Sequence, residues 1–156
     1  MGSVACPSNV AVCVASAKTA LGIGGAATEA ACADGDCTNE VKTAENALNA
    51  IRNMTGNAKG TAYENWLKAT TGGEGSFTLE GTQFDNKVGN ILMEAKSYNW
   101  NTFNLADFQN QVGRATAIAT RNGYQYVVHL LNKPPQSVID WLVKKGIDYV
   151  IEGGAE

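Results

Sequence analysis

Asp85, Glu94 and Lys96, all within the stretch from Gly81 to Trp100, have the types and spacing that phosphoryl chemistry uses. That stretch reads as two short strands joined by a tight turn, so the period of two decides which side chains share a face. With the turn centred on Val88-Gly89, Asn90 faces Lys87 and Leu92 faces Asp85. Glu94 then lies one diagonal step from Asp85 on the same face, with Lys96 next along the edge. Two carboxylates beside an ammonium can hold a hard divalent cation and aim a water, an arrangement suited to phosphodiester hydrolysis. Surface hairpins also carry Asp and Glu. Here, however, Ile91, Leu92 and Met93 are consecutive apolar residues, as in a strand covered on both faces. Glu94 and Lys96 therefore leave a buried strand, where charged groups need partners or a metal.

The elements that must position these groups are read from periodicity and turn chemistry. A short amphipathic helix over Gly60–Thr70 carries Tyr63, Trp66 and Leu67 towards the core. A strand at Ser76–Leu79 leads into the hairpin. Asn104 caps a helix whose apolar stripe is Leu105, Phe108, Val112, Ala115 and Ala119. Tyr124–Leu131 is a β-prone strand, and Pro134-Pro135 opens a helix through Val138, Ile139 and Leu142 that stops at Gly146. Ile147–Ile151 is the last strand. The order is helix, three strands, helix, strand, helix, strand: a mixed α/β fold with a central sheet flanked by helices.

Composition divides the chain of 156 residues near Met54–Gly60. Residues 1–58 hold all four cysteines, no aromatic residue and much alanine; residues 59–156 hold every aromatic. The front segment is expected to be a small helical domain, its third helix striped by Val41, Ala44, Leu48 and Ile51. Folding its first two helices back at Gly22–Gly25 brings Cys13 near Cys32 and Cys6 near Cys37, a nested pair of disulfides. Cys6–Cys13 with Cys32–Cys37, or free thiols, are the alternatives. Disulfides would mean maturation outside a reducing cytosol. The spacings are poor for zinc, and with no C-x-x-C a thiol oxidoreductase is disfavoured. Met1-Gly2-Ser3 reads as a cloning scar, so the chain is expected to be a piece of a longer protein. The apolar runs are too short for a transmembrane segment. A net charge of −3 argues against broad electrostatic wrapping of nucleic acid.

The second segment resembles the PD-(D/E)xK nucleases, specifically the restriction-endonuclease-like toxin domains of bacterial polymorphic toxins, over roughly residues 61–152. Glu64 on the opening helix, Phe84-Asp85, Leu92–Lys96, Gln111–Arg114 and the strand–helix–strand tail carry the likeness. One departure is Phe84, where the family name has proline. The front segment resembles, by composition, the alanine-rich entry modules of contact-dependent growth inhibition toxins; a helical cap for the second domain is the alternative.

These resemblances imply a metal-dependent nuclease that enters a target bacterium and acts in its cytoplasm. Asp85, Glu94 and the Ala95 carbonyl would ligate Mg2+, or Mn2+ or Zn2+. Lys96 would orient water or oppose the growing charge. Glu64 would hold a second ion or be a surface glutamate. Gln111 would steady the site, and Arg114 would contact a phosphate or else salt-bridge Asp107 or Asp85. Tyr98 and Trp100 would stack on a base, close the core or bind a partner. His129, alone of its kind, would be a core histidine or approach the site on a face shared with Gln125 and Val127. A cognate immunity protein and an inner-membrane receptor are the implied partners. The substrate leans to tRNA; a DNase of the same fold and a non-catalytic binding module are the competing functions.

Overall fold

The computed structural model describes residues 46–152. The expectations for the four cysteines and the first helices lie outside them. The element order is a helical turn at residues 46–52 (α1), α2 (Gly56–Thr71), β1 (Phe77–Leu79), β2 (Thr82–Phe84), β3 (Asn86–Val88), β4 (Ile91–Lys96), α3 (Leu105–Arg121), β5 (Gln125–Leu130), α4 (Gln136–Lys145) and β6 (Asp148–Ile151). A mixed four-stranded sheet, ordered β3-β4-β5-β6, lies at the centre. Its β3–β4 pair is antiparallel, and β4–β5 and β5–β6 are parallel, with α3 and α4 as the crossovers. Among the described residues no helix is long and apolar enough to cross a membrane.

Helices cover both faces, as the Ile91-Leu92-Met93 run predicts. Ile91 and Met93 pack with Leu48, Ile51, Tyr63, Trp66 and Leu67 from α1 and α2. Leu92 packs on the other face with Phe108, Val112, Val138 and Leu142 from α3 and α4. Leu48 and Ile51 thus share a core with residues beyond 58, and packing continues across the change of composition at 54–60. α2 also begins at Gly56 rather than Gly60, which takes Gly56 and Asn57 out of the expected linker. Burial of Tyr63, Trp66 and Leu67 outweighs the low helix propensity of Gly56 and Asn57.

Three strand expectations need correction. Phe77–Leu79 does not join the central sheet; it pairs with Thr82–Phe84 in a separate two-stranded sheet. Gly81–Trp100 therefore holds three strands, not two, and the chain bends at Asp85 as it passes from one sheet to the other. The turn between β3 and β4 is Gly89-Asn90, so Leu92 faces Lys87 and Asn86 faces Met93. Gly89 has φ +59°, which suits glycine at the first central position of a type II′ turn.

Buried Asn86 anchors the bend. Its Oδ1 accepts from the Gly75 N–H at 3.1 Å, and its Nδ2 donates to Thr71 Oγ1 at 2.8 Å. The end of α2 is thereby tied to the strand that follows Asp85. Gly73 makes this approach feasible, because a Cβ there would sit 2.1 Å from Asn86 Oδ1. At the β1–β2 turn, Glu80 has φ +50°, and Arg121 Nε holds its carboxylate at 3.0 Å with further bonds from Arg121 and Asn122. This clamp fixes the hairpin against the end of α3.

α3 starts as expected: Asn104 Oδ1 accepts from the Asp107 N–H at 3.0 Å. Its buried stripe is Phe108, Val112, Ala115, Ile118 and Ala119; Leu105 is exposed and Ile118 takes a place in the stripe. Asn104→Ala is expected to cost about 1 kcal/mol by removing that cap, read as a lower urea midpoint with an unchanged slope.

Candidate active site

The β3–β4 register places Asp85, one step before Asn86, opposite Glu94. Moving the turn by one residue shifts the pairing by two, which preserves the face and replaces a diagonal contact by a direct one. Backbone and side chain both fix Asp85 to β4. Its N–H donates to Met93 O at 3.0 Å, and its Oδ2 accepts from the Ala95 N–H at 2.8 Å.

Glu94 is buried, and its Oε2 lies 2.8 Å from the Lys96 ammonium. The Glu94 carboxylate thus meets the Lys96 ammonium and, beside it, the buried Tyr126 hydroxyl. Lys96 Nζ also donates to Gln111 Oε1 at 3.2 Å, which joins β4 to α3. Asp85, Glu94, Lys96, Gln111 and Arg114 line one cleft of about 280 Å³ with Gly81, Thr82 and Gln83. Arg114 is exposed there and makes no ion pair among the described residues, with Asp107 and Asp85 included.

Burial dominates the electrostatics. It raises the Asp85 and Glu94 pKa values, with Lys96 acting in the opposite direction on both. Burial disfavours the Lys96 ammonium, yet contact with Glu94, aided by Tyr98 and Asp85, carries its pKa above the usual lysine value. Glu64, on α2, is also raised by burial and then by Asp85, while Lys96 lowers it; it does not line the cleft. Burial, with Glu94 and Asp85 adding to it, holds the Tyr126 phenol well above its ordinary value.

The remaining expected residues divide. Trp100 closes the core, with its ring 4.8 Å from Phe103 and its Nε1 donating to Asn132 O at 3.0 Å. Tyr98 packs edge-on against Trp100 and Phe108 yet also lines a cavity beyond Lys96. His129 is a core histidine. It neighbours Ala95 on the sheet face opposite Glu94, and its Nδ1 lies 3.6 Å from Glu152 Oε1. Tyr126 was missed. The same period of two that groups Gln125, Val127 and His129 puts Tyr126, Val128 and Leu130 on the Glu94 face, where Leu92 pairs with Tyr126.

Asp85 and Glu94 are hard-oxygen donors that meet in the cleft, with Glu94 Oε2 already facing the Lys96 ammonium, whereas Ala95, the expected third ligand, lines the cavity beyond Lys96. Soft ligands are not part of this cleft, so its chemistry favours Mg2+ or Mn2+ over Zn2+. Among the described residues, no group of three or more His, Cys, Asp or Glu side chains is placed to hold a metal. Any ion there would rest on the two carboxylates and water. Comparison with protein-family profiles, with curated proteins and with solved structures finds no match for the chain.

Proposed function

We propose that this chain is a metal-dependent nuclease of the PD-(D/E)xK type, restriction-endonuclease-like in its second domain, that cleaves RNA in a target bacterium. The observation that carries the reading is the convergence of Asp85, Glu94, Lys96, Gln111 and unpaired Arg114 on one cleft. A purely structural ion pair would not need a guanidinium left open beside it. The toxin context, a disulfide-linked entry segment over residues 1–58, an inner-membrane receptor and a cognate immunity protein rest on the resemblance in sequence.

Asp85 and Glu94 would hold the divalent ion, which when bound lowers the pKa of water and neutralises charge on the phosphate. Arg114 would grip a non-bridging phosphate oxygen pair through its fork. Lys96, with its raised pKa, stays cationic at neutral pH, so it opposes the charge that develops on the phosphate rather than taking a proton from water. Gln111 holds that ammonium in place. The net charge of −3 supports a compact substrate with local phosphate contacts over a wrapped duplex.

Total tRNA and supercoiled plasmid, incubated separately with the full chain and Mg2+, test this. Fragmented tRNA beside intact plasmid is expected, with both reactions stopped by EDTA. Nicked plasmid beside whole tRNA would move the substrate to DNA. Both substrates intact with Mg2+, Mn2+ or Zn2+ would leave the binding-module reading in possession.

A further inference from the structure

A second cavity, of about 560 Å³, opens on the other side of Lys96. It is lined by Met54–Gly56 at the start of α2, by Lys59, and by the segment Ala95–Asn99 that leaves β4. Lys96 lines both this cavity and the carboxylate cleft, so the two form adjoining compartments. Their charge is segregated. Among the described residues the smaller holds Asp85 and Glu94, and the larger holds Lys59 and Lys96 and no carboxylate. Among the described residues Lys59 makes no ion pair.

We propose that this cavity binds one unpaired nucleotide next to the scissile phosphate, its own phosphate on Lys59 and its base against Tyr98. The proposal rests on the nuclease reading and names the form of substrate that the site accepts. The volume suits a single small organic ligand, which lies within the usual range of about 300–1,000 Å³, whereas a duplex is read along its grooves. Tyr98 is half-buried and held edge-on by Trp100 at 5.4 Å and Phe108 at 5.9 Å, with the Lys96 ammonium 5.9 Å from its ring centre; the part of this fixed ring that lines the cavity is where a base would stack. Asn99 also lines the cavity, with its Oδ1 accepting from the Asn101 N–H at 3.1 Å. Ser97 adds a hydroxyl. Such a pocket selects a single-stranded loop over a paired stem.

The test uses the full chain carrying Glu94→Gln, so that binding is read without cleavage, and a short fluorescein-labelled single-stranded RNA. Lys59→Glu is the informative change, because an acid in the first turn of α2 favours the helix and unfolding is not the explanation of a loss. Lys144→Glu on α4 makes the same change of charge on the opposite face of the sheet. Lys59→Glu is expected to weaken binding by at least about tenfold and Lys144→Glu to leave it unchanged, with a blunt RNA duplex bound less tightly than the single strand. Equal effects of the two changes, no effect of either, equal affinity for strand and duplex, or no binding at all would each overturn the proposal. A Lys59 effect on binding, with no cleavage by the chain that keeps Glu94, would keep the cavity and remove the nuclease. Cleavage by the chain that keeps Glu94, indifferent to Lys59→Glu, would do the reverse.

Discussion

Glu94→Gln is expected to lower RNA cleavage on the order of a thousandfold without loss of fold. In the native cleft Asp85 and Glu94 share the single ammonium of Lys96. Both carboxylates have pKa values raised chiefly by burial, which marks their charged forms as costly to the folded state. Neutralising Glu94 leaves Asp85 and Lys96 as a balanced pair, while Gln keeps the volume. The melting temperature should therefore hold or rise as activity falls. Rates on tRNA and a thermal melt on the same preparation check both halves. A Glu94→Gln protein that is unfolded, or that cleaves at the native rate, contradicts this reading.

Lys96→Met is expected to lose activity and to destabilise the fold by about 3–5 kcal/mol at neutral pH in metal-free buffer, since it leaves buried charge without compensation. The pH dependence follows from the direction of the shifts. Acids whose folded pKa is raised hold protons that the unfolded chain releases, so their contribution is full below the ordinary carboxylate range and fades as pH rises through the raised values. Lys96 lowers both carboxylates, and its removal widens that window upward. Urea melts of Lys96→Met should show most of the loss near neutrality and recovery as pH falls towards the ordinary carboxylate range. A loss that does not change with pH would point to packing of the lysine stem instead.

Much of this was legible from the residues because the decisive patterns are local. Ile91-Leu92-Met93 announced a strand with both faces covered, and packing from α1 and α2 on one side and α3 and α4 on the other is its consequence. The pairing of Asp85 with Glu94 survived an error in the turn. Gly89 is central to either choice, and the two registers differ by an even number of residues. What escaped the sequence is non-local. Whether Phe77–Leu79 joins the central sheet depends on the bend at Asp85, which the buried side chain of Asn86 fixes from the far end of α2. Tyr126 meets Glu94 only through the parallel register of β4 and β5, which no short-range pattern encodes. The start of α2 at Gly56 depends on burial of side chains two turns later and runs against local propensity.

The central claim is that Asp85 and Glu94 act together on a divalent ion to hydrolyse a phosphodiester. Single-turnover cleavage of tRNA by the full chain, followed as Mg2+ is added to metal-stripped protein, tests it most directly. The expected result is no cleavage without the ion, a rate that saturates as Mg2+ rises, and loss of that response in Asp85→Asn. Cleavage that proceeds undiminished in EDTA, or a Mg2+ response unchanged by Asp85→Asn, would contradict it.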